Sequence, residues 1–172
     1  MRMSNRVAAN LVIGADGSTT RGGSSRGLSF ETDRQRFHQL RGEFDVILVG
    51  GNTARNEPYS KTPIPLIVLT HGGLPKRIAG NPLAQAWGQA LDQAIPRATQ
   101  TFGNVLIEAG PNLVQPGLEQ RLISELFLTI SDTTGGENLI ELSDFLNEMV
   151  ELSRESLPGG LFLHYGLAPS HS

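Results

Sequence analysis

The sequence predicts an α/β domain built on a mostly parallel sheet. Three observations carry this. Short, largely apolar runs recur along the chain, at Phe44–Val49, Ile64–Leu69 and Val105–Glu108. Each has the length and composition of a strand covered on both faces. Two of them deliver the chain into a glycine turn followed by helical sequence, Gly50-Gly51 and Gly110-Pro111. The only strands expected to pair antiparallel come late, around Leu157-Pro158-Gly159-Gly160.

Taken in order, Val7–Ile13 reads as a buried opening strand. A polar, glycine-rich loop follows from Gly14 to Gly27, long enough to be functional or mobile. Ser29 or Thr32 caps a helix that runs to about Arg41, with Phe37 and Leu40 inward and Gly42 as its stop. Asn56-Glu57-Pro58-Tyr59 breaks the next helix early, and Pro63 and Pro65 sit only at the start of the Ile64–Leu69 strand. His71–Pro82 reads as loop. Leu83–Ile95 reads as helix, because Leu83, Trp87, Leu91 and Ile95 fall four apart. After the Val105–Glu108 strand, a helix from Asn112 is interrupted at Pro116-Gly117 and resumes to Leu122. Leu126–Ser131 is a strand and Thr133–Asn138 a loop. Met149–Leu152 and Leu161–Tyr165 are the late strands, and Pro169–Ser172 frays. No repeat or linker divides the chain, so residues 1–172 read as a single domain.

Composition narrows the function. Of 172 residues, 38% are apolar and 18% charged, a globular balance. Fourteen basic and 17 acidic residues give a formal charge of −3, which disfavours general nucleic-acid binding. The chain has no cysteine, which removes disulfides, thiolate nucleophiles and Cys-ligated zinc. The four histidines, His38, His71, His164 and His171, form no metal set. No run approaches the roughly 20 apolar residues of a membrane helix, and the N-terminal stretch is too short for a signal peptide. The expectation is a cytoplasmic protein with neither metal nor membrane partner.

In open α/β sheets ligands bind at the carboxyl ends of the strands. Three such ends carry unusual residues: Gly14-Ala15-Asp16-Gly17, Gly50-Gly51-Asn52-Thr53 and Glu108-Ala109-Gly110-Pro111-Asn112. Free backbone N–H groups at a glycine turn entering a helix suit an anion, and glycine lets a phosphate approach the backbone. A tight structural turn is the competing reading of Gly50-Gly51. The Gly-x-Gly-x-x-Gly and Gly-x4-Gly-Lys-Ser/Thr patterns are both absent, which disfavours common dehydrogenases and nucleotide kinases. Asp16, Glu57 and Glu108 are carboxylates at or just beyond strand ends. Asp16 is otherwise a turn residue before Gly17, and Glu57 a helix-terminal surface residue. Glu108 closes a buried apolar strand, so a donor or ligand should meet it. Arg41 reads either as a solvated helix-end cation or as a phosphate contact.

Together these segments resemble a family. The residues are Asn10-x5-Asp16-Gly17; Asp33-Arg34 with Phe37-His38-x-Leu40-Arg41; Asp45 to Thr53 with Asn56-Glu57-Pro58; Leu106 to Leu113; and Glu125 to Ser131. In this order they are similar to the pyrimidine reductase domain of riboflavin biosynthesis. That is the C-terminal reductase domain of the bifunctional deaminase-reductase, in the dihydrofolate-reductase-like family. The resemblance implies hydride transfer from NADPH to C1′ of 5-amino-6-(5-phosphoribosylamino)uracil, giving the ribitylamino product. It implies cofactor binding by Gly50, Gly51, Thr53, Ala109, Gly110, Pro111 and Asn112. Asn10, Glu57 and Glu108 would face the substrate heterocycle, Glu57 and Glu108 as the catalytic pair, with Asp16, Ser29 and Arg41 also on the substrate side. A homodimer is implied too; Phe162 and Tyr165 of the late strands read as interface candidates or equally as residues of a core strand.

The chain departs from the family in places. It lacks the His-x-Glu and Pro-Cys-x-x-Cys signature of the zinc deaminase. Bacterial members usually have Lys at position 10 and Asp-Asp-Pro at 56–58, followed by an Arg where this chain has Pro63. Asp132 stands where the family often has Pro, and Gly72–Phe102 matches poorly; Lys76 and Arg77 are candidates for a cofactor 2′-phosphate. These departures keep two alternatives open: a reductase of a pterin or other heterocycle, and a non-catalytic nucleotide-binding module.

Overall fold

The computed structural model describes residues 4–170. Met1–Met3, His171 and the end of the predicted frayed tail lie outside them. One eight-stranded sheet organises the chain, with helices on both faces. The strands are β1 (Val7–Gly14), β2 (Val46–Gly50), β3 (Leu66–Leu69), β4 (Ala84–Trp87), β5 (Val105–Glu108), β6 (Glu125–Ser131), β7 (Met149–Leu157) and β8 (Gly160–Leu167). Their spatial order is β4-β3-β2-β5-β1-β6-β8-β7. The first six are parallel; β8 runs antiparallel to β6, and β7 to β8. The α-helices are α1 (Glu31–Arg41), α2 (Gly51–Asn56), α3 (Leu91–Thr101), α4 (Pro111–Glu119) and α5 (Leu142–Leu146), and one 3-10 turn covers Ser25–Gly27. The mostly parallel α/β sheet with late antiparallel strands is the fold class that the sequence predicts.

Alternation along β1 separates two cores. Val7, Ala9, Leu11 and Ile13 point to a large cluster with Ile95 of α3, Val114 of α4 and Phe145 of α5. Ala8 faces the other side, where Leu106, Leu40, Phe44 and Phe127 pack under α1. Asn10 follows Ala8 on that second face. Its Cα lies opposite Glu108 on β5 and Phe127 on β6. The polar residue that interrupts the β1 run is therefore placed beside the carboxylate that ends β5.

Two helices differ from the sequence reading. Residues 84–87 are not helical but form the edge strand β4, paired with β3 from Leu66↔Ala84 to Leu69↔Trp87, and α3 begins only at Leu91. A spacing of four is also a multiple of two, so Trp87 is buried equally well from a strand. Pairing along β3 then overrides the helix propensity of Ala84-Gln85-Ala86. The second difference is α4, which runs unbroken through Pro116-Gly117 to Glu119. Pro116 removes one backbone donor, but Val114, Gly117 and Leu118 are buried around it. Gly117 packs so closely on Ile123 that a Cβ would meet its Cδ1 at 2.4 Å.

The late hairpin is longer than expected. β7 continues to Leu157, because its polar residues need no cover: it is the outer edge strand. Pro158 and Gly159 make a two-residue turn of the type II pattern. Gly159 has φ +98°, and a Cβ there would meet the Phe30 ring at 3.0 Å.

Candidate active site

The carboxyl ends of β1, β2 and β5 open into one cleft of about 980 Å³, between α1, the Gly14–Gly27 loop and the starts of α2 and α4. Asn10, Ser29, Arg41, Gly50, Gly51, Thr53, Glu57, Glu108, Ala109, Gly110, Pro111 and Asn112 all line it. Asp16, also predicted for the site, does not. Lys76 and Arg77 do not line the cleft either; the Arg77 guanidinium donates to the Arg55 carbonyl.

Asp16 instead works as a loop fastener. Its Oδ1 accepts from the Ser18 N–H and hydroxyl, and its Oδ2 from the Gly135 N–H. The Ser18 hydroxyl, helped by the Gly135 and Ser18 amides, lowers the carboxyl to about 2. Depression means the bonds favour the folded state above the ordinary carboxylate range and are lost as the acid titrates. Asp16→Asn should therefore flatten the loss of melting temperature between pH of about 4 and about 2. An unchanged acid profile would contradict this role. The same loop is tied across to residues 137–138: the Thr19 hydroxyl donates to the Asn138 carbonyl, and Thr20 and Gly22 bond the Glu137 carboxylate.

Glu57 is positioned by the break after α2. Its Oε1 accepts from the Ser24 hydroxyl and from the N–H and hydroxyl of Ser25, each near 2.9 Å. The floor of the loop is thereby fixed to the rim of the cleft. Among the described residues no donor meets Oε2, which leaves it for a ligand. Ser29 donates to Asp33, whose other oxygen accepts from Thr129 on β6.

Glu108 does meet a donor, as its burial requires, and the donor is Arg41. The guanidinium forks onto it: Nε to Oε2 at 2.9 Å and Nη2 to Oε1 at 2.8 Å. The Tyr59 hydroxyl donates to Oε1 at 3.0 Å. Burial pushes the Glu108 carboxyl up; Arg41 and Tyr59 pull it back. Burial also works against Arg41, but Glu108 outweighs it and leaves Arg41 raised. Two parallel N–H···O bonds are the geometry of an ionised pair. Arg41 is thus neither a solvated cation nor a free phosphate contact, since its charge is matched by Glu108. Its guanidinium also lies 4.4 Å from the Phe37 ring centroid. Tyr59 was missed in the sequence. Its only signal is an aromatic directly after Glu57-Pro58, and nothing local shows that it turns under β5.

Gly50 caps α2 and Gly110 caps α4, both with extended backbone and no side-chain cap. Pro111 takes the first position of α4, where it has no donor to lose. The Asn112 amide thus opens at the cleft rim, while the Leu113 and Val114 amides bond the Gly110 carbonyl. A Cβ on Gly110 would meet nothing within 4 Å, and on Gly50 only a Leu113 methyl at 3.9 Å. Neither glycine is demanded by packing. Open space over bare backbone is what a bound phosphate group requires.

Residues 5–78 match the family described as the RibD C-terminal domain. Solved structures with similar folds include a pyrimidine reductase-like protein of Corynebacterium diphtheriae, with a TM-score of 0.76 at 20% identity, over 96% of this chain and 93% of that one. RibD of Acinetobacter baumannii gives 0.77 at 17% identity, over 96% and 59%. A diaminohydroxyphosphoribosylaminopyrimidine deaminase/5-amino-6-(5-phosphoribosylamino)uracil reductase of Thermotoga maritima gives 0.69 at 14%, over 96% and 57%. The chain thus spans under three-fifths of the length of these last two. No curated protein matches it. The matched segment carries β1, the loop, α1, β2, α2 and Glu57, and the similar folds span almost the whole chain.

Proposed function

We propose that this chain is a single reductase domain, cytoplasmic, which uses NADPH to reduce 5-amino-6-(5-phosphoribosylamino)uracil at C1′. The observation that carries the reading is the convergence in one cleft of two bare glycine turns with Asn10, the free oxygen of Glu57 and the Arg41–Glu108–Tyr59 network. Bound NADPH would supply a hydride at its nicotinamide C4. The α2 and α4 N-terminal turns hold phosphate groups with backbone amides and Thr53. Glu57 accepts from the N–H groups of the pyrimidine, and Asn10 supplies a further donor and acceptor beside it. Glu108 acts by holding Arg41 at the cleft wall. Work of this kind is mainly placement, bringing donor and acceptor carbons into contact, so no strong acid or base is needed.

The experiment is cofactor oxidation by purified protein with the enzymatically prepared ribosylaminouracil phosphate. Oxidation requiring both compounds, and much weaker with NADH, is expected. One specific feature favours a second reading: Pro63 stands where bacterial members carry an Arg, so another heterocycle such as a dihydropterin is the competitor. Turnover of dihydropterins with none of the uracil compound would replace the first reading by the second.

The reading includes a homodimer. β7 supports it, as a nine-residue outer strand exposed on both faces that carries Val150 at 45% and Leu152 at 59% exposure. Such an edge invites a covering chain, here a second copy. Light scattering at low concentration should give twice the chain mass; a monomer refutes it.

A further inference from the structure

The segment that carries Glu57 and Tyr59 to the cleft lies between α2 and β3 and belongs to neither. It has no ladder or helix to hold its backbone, yet the Tyr59 hydroxyl reaches Glu108 Oε1 at 3.0 Å. Among the described residues, Asn81 is the one side chain bonded to the Glu57–Tyr59 backbone. Its Nδ2 donates to the Tyr59 carbonyl at 3.1 Å and to the Thr62 hydroxyl at 3.0 Å. Its Oδ1 accepts from the Leu83 N–H at 3.0 Å, at the entrance to β4.

Asn81 is buried, at 4% exposure, and does not line the cleft. A buried amide is stable only where its bonds are made, and here both donors and the acceptor are taken. Fixing the start of β4 needs the oxygen alone. The nitrogen serves two residues that precede β3, 22 and 19 positions back along the chain. Neighbours of Asn81 act in the same place. Ile78 is wholly buried in the small core that holds Tyr59, with Ile47, Val49 and Val68. The Arg77 guanidinium donates to the Arg55 carbonyl near the end of α2 at 3.1 Å. Residues 77–81 thus buttress the chain from the end of α2 to Thr62. Position 81 lies beyond the 5–78 segment matched to the family, within the Gly72–Phe102 stretch where the resemblance is poor.

We propose that Asn81 is a positioning residue of the candidate active site. By holding the Tyr59 carbonyl it sets the reach of the Tyr59 hydroxyl to Glu108, and through Glu108 the place of the Arg41 guanidinium on the cleft wall. A backbone shift of about 1 Å is enough to break a hydrogen bond of this length. The consequence for turnover rests on the reductase reading; the effect on Tyr59 does not.

The test joins a spectroscopic readout to a kinetic one. The chain has two tyrosines, so fluorotyrosine-labelled protein carrying Tyr165→Phe shows Tyr59 as a single fluorine NMR resonance. Asn81→Asp keeps the side chain's size and its acceptor for Leu83 but removes both donors. Thr62→Val removes only the other acceptor of the same amide and reports a purely structural role. Asn81→Asp should shift the Tyr59 resonance and lower kcat about tenfold or more, with KM for NADPH within about twofold of wild type. Thr62→Val should lower the melting temperature and move neither. In a Tyr59→Phe background Asn81→Asp should cost less than about twofold further in kcat, because it acts through the hydroxyl. Asn81→Ser, which also lacks the amide donors, gives the same comparisons if the carboxylate prevents folding. An unmoved Tyr59 resonance in a folded position-81 variant overturns the proposal, and so does an equal loss of kcat with and without the Tyr59 hydroxyl. A shifted resonance in a protein that oxidises no NADPH with the uracil compound keeps the placement of Tyr59 by Asn81 and discards the reductase reading.

Discussion

Arg41→Ala is expected to lower the melting temperature by roughly 6–20 °C. Both side chains of the Arg41–Glu108 pair are nearly excluded from water, at 8% and 2% exposure. Removing the guanidinium strands a carboxylate under β1 and β5 with only the Tyr59 hydroxyl as donor. Breaking such a pair from one side costs about 3–5 kcal/mol, and for a chain of this size each kcal/mol moves the midpoint by about 2–4 °C. Replacing both partners with apolar residues of similar volume, Arg41→Met with Glu108→Leu, should recover most of the loss, because no charge is left stranded. Activity should stay low in the double variant, since the cleft wall has lost its fixed guanidinium. A single Arg41→Ala variant within about 1 kcal/mol of wild type would mean that the pair is solvated and weak.

Gly110→Val is expected to do the reverse, sparing the fold and removing the cofactor. The backbone at Gly110 has φ −71°, which any residue adopts, and the space above it is empty. The melting temperature should therefore barely move. A branched side chain would nevertheless occupy the place proposed for a phosphate group at the Asn112 amide. A charge-assisted hydrogen bond contributes about 1.5–3 kcal/mol, so NADPH affinity should fall roughly 10- to 100-fold. Fluorescence titration of NADPH against both proteins gives the ratio. Equal affinities would reduce Gly110 to a tight strand-to-helix turn.

The central strands were legible because burial on both faces writes itself as composition. Val46–Val49 and Val105–Ile107 are apolar throughout and wholly buried. The glycine turns were legible because they follow such runs directly. β4 was not, since Leu83, Trp87 and Leu91 satisfy two periods at once and only the register with β3 decides. β7 was cut short because an edge strand exposed on both faces carries polar sequence and no alternation to read. At the site, burial alone said that Glu108 needed a donor, but nothing in the chain order says that Arg41 and Tyr59, 67 and 49 residues away, supply it. Asp16 shows the opposite failure: an Asp-Gly turn residue was promoted to the site by proximity to a strand end, while its bonds are to Ser18 and Gly135.

The central claim is hydride delivery to C1′ of a ribosylaminouracil phosphate. The direct measurement uses NADPH deuterated on the transferring face of C4, with mass spectrometry of the pyrimidine product. One deuterium retained at C1′ of a ribityl chain is the predicted result, with none when the label is on the other face. Cofactor bound with no deuterium in any pyrimidine product, from either labelled face, would contradict the account and leave a nucleotide-binding protein on a reductase fold.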